Sequence, residues 1–176
     1  MLTLISWQNT TGTFVTAKTW LRGIQQITSS FGESAYLMSN NASLIIIGSE
    51  AGVLGVPGNP DYAASKSAIQ YGLTLSLAPD AARINNKARV NAIAPGAVDT
   101  PQFGKECAED TSEQVRWLDS ESTVASSRAV EMEHVARLCL MLASEKWSGS
   151  TTGQVIRVDA GKSGRVFWKQ GGSPAW

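Results

Sequence analysis

An almost wholly apolar run, Leu44-Ile45-Ile46-Ile47, followed at once by a glycine- and proline-rich stretch, limits the folds open to this chain more than any other feature. A short isoleucine run without polar alternation predicts a strand over Ser43 to Gly48 that is covered on both faces, as in a parallel sheet. Parallel strands need crossover connections, so helices are expected between strands. Glycines 52, 55 and 58 with Pro57 and Pro60 enforce a loop, and Asn59 before Pro60 supplies a cap and a first-turn proline. A helix is therefore predicted from about Asp61 to Leu77, with Ala64, Ile69, Leu73 and Leu77 facing inward. Ser49 sits where the strand runs out, and Tyr62 and Lys66, four residues apart, share one face of that helix. A hydroxyl, a phenol and an ammonium can converge at one edge of a sheet.

The flanking sequence repeats the pattern. Phe14, Ala17, Leu21 and Ile24 recur at helical intervals between Trp7 and Ile27. Thr28 to Ser43 reads as a frayed helix end and a loop. Arg89 to Ala94 predicts a second strand ended by Pro95-Gly96, Met132 to Ser144 a helix, and Gly153 to Asp159 a third strand closed by Gly161. Thr100 to Arg128, with Phe103, Trp117 and Leu118, predicts a partly helical lobe, and Arg165 to Trp176 shows no usable period. Strand, helix, strand, helix, strand gives an α/β fold with a parallel sheet and flanking helices. No linker or internal repeat divides residues 1–176, so one domain is expected, with an irregular tail over 163–176.

Equal numbers of basic and acidic residues, 15 each, offer no basic excess for a nucleic acid or an anionic membrane. No stretch approaches the roughly 20 apolar residues of a membrane span. The N-terminal residues lack the basic flank of a signal peptide. Cys107, in a loop-like stretch, and Cys139, inside an apolar helical pattern, read as reduced thiols of a cytoplasmic protein, Cys139 in the core. Neither CxxC nor HExxH occurs, so no metal site is expected. His134, between Glu133 and Val135, reads as a solvent-facing helix residue. GSEAG lacks the spacing of a G-x-S-x-G nucleophile elbow, which argues against a serine hydrolase.

Several motifs together resemble the short-chain dehydrogenase/reductase family. Tyr62-Ala63-Ala64-Ser65-Lys66 is similar to its YxxxK pattern, and Ser49 stands thirteen residues ahead of Tyr62, at the family's serine position. Asn9-Thr10-Thr11-Gly12 matches its NxxG helix start. Asn91 to Thr100, reading NAIAPGAVDT, looks like its PG motif, and Gly153 to Gly161 resembles its closing strand with Ala160 in place of the more usual glycine. The resemblance covers roughly residues 7 to 162. It extends to the C-terminal two-thirds of the family pattern; nothing in the sequence resembles the N-terminal glycine-rich turn that brings backbone amides to a cofactor pyrophosphate.

The resemblance implies a partial Rossmann-like sheet and hydride transfer between NADP or NAD and a small-molecule alcohol or carbonyl. Tyr62 would move the substrate proton, Ser49 would orient the substrate oxygen, and Asn9 would hold a relay water. Lys66 would favour the phenolate, bond the nicotinamide ribose and, with Tyr62, border the cofactor. Pro95, Gly96, Val98 and Thr100 would meet the nicotinamide end. A tyrosine ionises near pH 10 in water, so a general base near neutrality needs about 4 kcal/mol of help, which a lysine about 4 Å away supplies at an effective dielectric of about 20. The resemblance also implies a homo-oligomer. Plainer roles stay open: Ser49 as a turn cap, Asn9 as a helix cap, Tyr62 as a wet helix-start aromatic. So does a non-catalytic relative that acts at most as an assembly partner. The isoleucine-rich strand would then present an open edge that invites pairing.

Overall fold

A computed structural model of the chain describes residues 7–31, 41–109, 117 and 121–164. Three parallel strands, β1 (Ser43–Ile47), β2 (Arg89–Pro95) and β5 (Val155–Val158), lie in the order β1-β2-β5. The register runs from Ser43 opposite Arg89 to Ile47 opposite Ile93, and from Ala92 opposite Val155 to Pro95 opposite Val158. A second, two-stranded parallel sheet pairs β3 (Val98–Asp99) with β4 (Val130–Glu131).

Strand side chains alternate between the two faces of a sheet. On one face Val90 and Ala92 join Ile46 in a core with Ala17 and Ile24 of α1 (Thr13–Phe31) and Ile69 of the long helix between β1 and β2. On the other face Arg89 reaches α6 (Met132–Ala143) and α7 (Glu145–Ser148): its Nη1 donates to Leu142 O at 2.6 Å and to Ser148 Oγ at 2.6 Å. The parallel sheet with helices on both faces is the architecture that the apolar runs predict.

The long helix begins at Pro60, as its proline predicts, but runs past Leu77 to Ile84 as α3 (Pro60–Ser67), a π-helical segment (Ala68–Leu73) and α4 (Thr74–Ile84). Pro79 does not stop it. The carbonyl that Pro79 leaves without an N–H belongs to Leu75, on the exposed side of the helix, where water can serve it. Just past the π segment Thr74 Oγ1 donates back to Ile69 O at 2.8 Å, so the widened turn keeps its hydrogen bonding.

Other expectations are corrected by the packing. Ala64 and Phe14 are exposed rather than inward-facing; Phe14 retains 53% of its surface. The loop after Ser49 contains a turn of helix, α2 (Ala51–Leu54). Cys107 lies in α5 (Pro101–Glu109), not in a loop, and Cys139 is half-buried rather than core, burial raising its thiol pKa. His134 is exposed, as expected. In the lobe, Phe103 and Trp117 meet edge to face with centroids 5.5 Å apart; Leu118 and the tail from 165 lie outside the described residues.

Candidate active site

The parallel register brings the C-terminal ends of β1 and β2 out at one edge. There the pairing continues past the strands: Gly48 N–H donates to Ile93 O at 2.7 Å and Glu50 N–H to Pro95 O at 2.8 Å. Ser49 is held between these two bonds. Its own N–H donates to Gln70 Oε1 at 2.6 Å, and its Oγ accepts the Ala51 N–H at 3.2 Å. A hydroxyl that accepts still has its hydrogen to donate.

Lys66 reaches the same edge from α3. Its Nζ donates to the carbonyl of Ile47, the last residue of β1, at 3.1 Å and stands 5.7 Å from the centroid of the Tyr62 ring, within cation–π range. Burial lowers the Lys66 pKa. Tyr62 is half-buried, one turn earlier, and its carbonyl accepts from Ser65 Oγ at 2.7 Å. Asn9 lies in a π-helical turn, Trp7–Gly12, that packs against α3. Among the described residues Asn9 makes no hydrogen bond to Ser49, Tyr62 or Lys66, so their elements are brought together without a direct link to it.

The remaining predicted residues follow β2. Pro95 is buried at its end and Gly96 turns away from it, with Gly96 N–H donating to Val158 O at 2.9 Å. Val98 is half-buried in β3 beside Val130. Thr100 caps α5: its Oγ1 accepts the Phe103 N–H at 3.0 Å.

Two side chains at this edge, Gln70 and Glu50, are not among the residues that the sequence motifs single out. Gln70 is fully buried and supports Ser49 from below. Tyr62, Lys66 and Gln70 are spaced by four and four, so the helical stripe that carries the first two was the available signal. The glycines of GSEAG are its complement: a Cβ on Gly48 would collide with the Gln70 side chain, and one on Gly52 would lie 2.7 Å from Gln70 Oε1. Glu50 follows Ser49, and burial raises its carboxyl pKa to about 7; Lys162 and Arg157 oppose that rise and Asp159 adds to it. A separate cavity of about 370 Å³ lies by α6 and the end of β5, lined by Arg128, Glu131, His134, Arg157 and Asp159 among others. Its charges pair with one another, Arg128 with Glu131 at 3.5 Å and Arg157 with Asp159, and Ser49, Tyr62 and Lys66 do not line it.

Among the described residues no group of His, Cys, Asp and Glu is placed to hold a metal ion, and no helix is long and apolar enough to cross a membrane.

Known proteins resemble this chain in sequence and in fold. A family model described as enoyl-(acyl carrier protein) reductase matches residues 13–163. The 3-oxoacyl-(acyl-carrier-protein) reductase FabG of Thermotoga maritima is 37% identical over 127 residues, covering 71% of this chain and 47% of that protein. A tropinone reductase homolog of Datura stramonium is 38% identical over 130 residues, covering 70% and 44%. The short-chain dehydrogenase/reductase homolog YusR of Bacillus subtilis is 33% identical over 125 residues, 71% of this chain and 86% of that one. The crystal structure of a 3-oxoacyl-(acyl-carrier protein) reductase from Brucella melitensis superposes with a TM-score of 0.67 at 28% identity, covering 88% of this chain and 50% of that one. The chain thus spans about half the length of the first two curated relatives. With the serine, the YxxxK helix and the PG turn at one sheet edge, these matches show that the chain belongs to the short-chain dehydrogenase/reductase family.

Proposed function

We propose that this chain is the catalytic portion of an oxidoreductase that moves a hydride between NADP or NAD and a small alcohol or carbonyl compound. The observation that carries the reading is the meeting of Ser49 and Lys66 at the end of β1, one helical turn from Tyr62. The nicotinamide, when bound, supplies or takes the hydride; the protein supplies position and electrostatics. Ser49 Oγ has a hydrogen to offer a substrate oxygen. Tyr62 passes the proton to that oxygen as a carbonyl is reduced, or takes it as an alcohol is oxidised. Lys66, with one of its three donors on Ile47 O, has two for a ribose and a cation for the phenol.

The residues fit one end of such a cofactor. The residues assigned to the nicotinamide end, Pro95, Gly96, Val98 and Thr100, follow one another from the end of β2, whose Pro95 O accepts the Glu50 N–H next to Ser49. The pyrophosphate end has no counterpart, since no glycine-rich turn opening a helix occurs in these residues. Asn9, on the turn against α3, is assigned a proton-relay water. Residues 1–176 act as one Rossmann-like unit, cytoplasmic and homo-oligomeric, without nucleic-acid or membrane partners.

Titration of the chain with NADPH and NADH by calorimetry tests the reading. Saturable binding is expected, and Tyr62→Phe should lower turnover by about 10²–10⁴-fold with binding kept. No saturable binding at millimolar cofactor overturns it. A second reading, a non-catalytic assembly partner, is favoured by one observation: among the described strands β1 pairs on one side only, leaving its other edge for another chain.

A further inference from the structure

We propose that the Glu50 carboxyl is a proton-operated latch that sets the position of the Pro95–Gly96 turn against Ser49. The backbone of Glu50 is fixed at both ends. Its N–H donates to Pro95 O at 2.8 Å, and its carbonyl accepts Val53 N–H at 2.8 Å and Leu54 N–H at 2.9 Å. The side chain lies against the turn: a Cβ added to Gly96 would sit 3.2 Å from Glu50 Oε2. That oxygen is buried and has no hydrogen-bond partner among the described residues. The Gly96 N–H of the turn is already given to Val158 O.

A buried carboxylate without donors is costly, whereas the neutral acid is far less so. The charges facing Glu50 come from β5 and the turn after it: Lys162 and Arg157 favour the ionised form and Asp159 opposes it. The Pro95–Gly96 turn and α2, reading AGVL, contribute none. Burial outweighs the cations, and the carboxyl changes charge near neutrality, at about 7. Once ionised, it has to draw toward Lys162 to find compensation, and the contact beneath Gly96 goes with it. Ser49 is its covalent neighbour and the Glu50 N–H holds the turn through Pro95 O, so strain from the ionised side chain is passed to both serine and turn. The consequence for cofactor binding rests on the proposed function; the latch itself does not.

Because the folded-state value lies above the unfolded one of 4.5, the stabilisation is fully present below pH 4.5 and is lost as pH rises through about 7. Thermal unfolding of the 176-residue chain between pH 5 and 8.5 should show Tm falling by on the order of 5 °C. Glu50→Gln should flatten that profile and melt above the parent at pH 8. Lys162→Met, which removes a cation favouring ionisation, should move the transition to higher pH. An infrared carboxylic-acid band that disappears as pH rises through neutrality reads the same proton in the unaltered chain, so the test survives a misfolded variant. Superimposable Tm–pH curves for parent and Glu50→Gln, or no such band, would overturn the latch. NADPH binding is the separate arm. Affinity that falls above pH 7 in the parent but not in Glu50→Gln supports the link to the site. Absence of binding at every pH, with the Tm signature intact, overturns the oxidoreductase reading and leaves the latch standing.

Discussion

The two neighbouring strands β1 and β2 reverse what their sequences suggest. SLIII is the more apolar, yet only Ile46 is buried and Ile47 retains 48% of its surface; RVNAIAP carries an arginine and an asparagine, yet all seven residues are buried. Position decides. β2 lies between two strands with helices over both faces, while β1 has a neighbour on one side among the described strands. Polar groups in β2 are tolerated because nearly all are answered; of the Arg89 guanidinium only Nε has no partner among the described residues. Arg89 serves Leu142 O, Ala143 O, Ser148 O, Ser148 Oγ and Asn41 Oδ1, and Asn91 gives a hydrogen bond to Thr151 O at 2.8 Å and accepts Gln154 N–H at 3.0 Å. A buried polar residue that joins three segments specifies tertiary structure in a way an apolar one does not.

Arg89 carries the largest share of this difference between the strands. Arg89→Ala strips the buried ends of α6 and α7 of their donor and leaves a cavity, and a loss of about 3–5 kcal/mol is expected in urea unfolding. A loss under about 1 kcal/mol would mean that the centre of the sheet is not held by its polar residues. Asn91→Leu is the milder version. It keeps the volume but abandons Gln154 N–H and Thr151 O, costs about 1–3 kcal/mol, and should speed hydrogen exchange at Gln154 before it affects β1.

These two residues also mark the boundary of what sequence alone reveals. The strands, the helix at Pro60 and the placing of Ser49, Tyr62 and Lys66 near the end of β1 are legible because each is a local pattern: an apolar run, a first-turn proline, a fixed spacing; the Asn59 side chain, expected as a cap, makes no capping hydrogen bond. What was not legible is non-local. β3 and β4 are two residues each and exist only because Val98 finds Val130. Ala64 has helical periodicity but is exposed: among the described residues nothing buries it. Gln70 looks like a surface residue until the fold places it against two glycines. Its role can be tested at the β1 edge, where Gln70→Ala removes the acceptor of Ser49 N–H. About 1–3 kcal/mol of destabilisation is expected, with a change in the Ser49 amide NMR shift larger than that at any β2 amide.

The smallest expected effect is on the exposed side chain of β1, and it decides whether that edge is open in solution. Ile47 leaves its carbonyl engaged with Lys66 whatever its side chain, so Ile47→Lys changes only the outward group. On an open edge the substitution should alter stability by no more than about 0.5 kcal/mol. A lysine there also discourages strand pairing, so self-association measured by light scattering should fall. If instead Ile47→Lys destabilises by more than about 1.5 kcal/mol and the loss depends on protein concentration, the side chain is buried against a second copy. β1 would then be an interior strand like β2, completed by association, and the difference between the two strands would belong to the isolated chain alone.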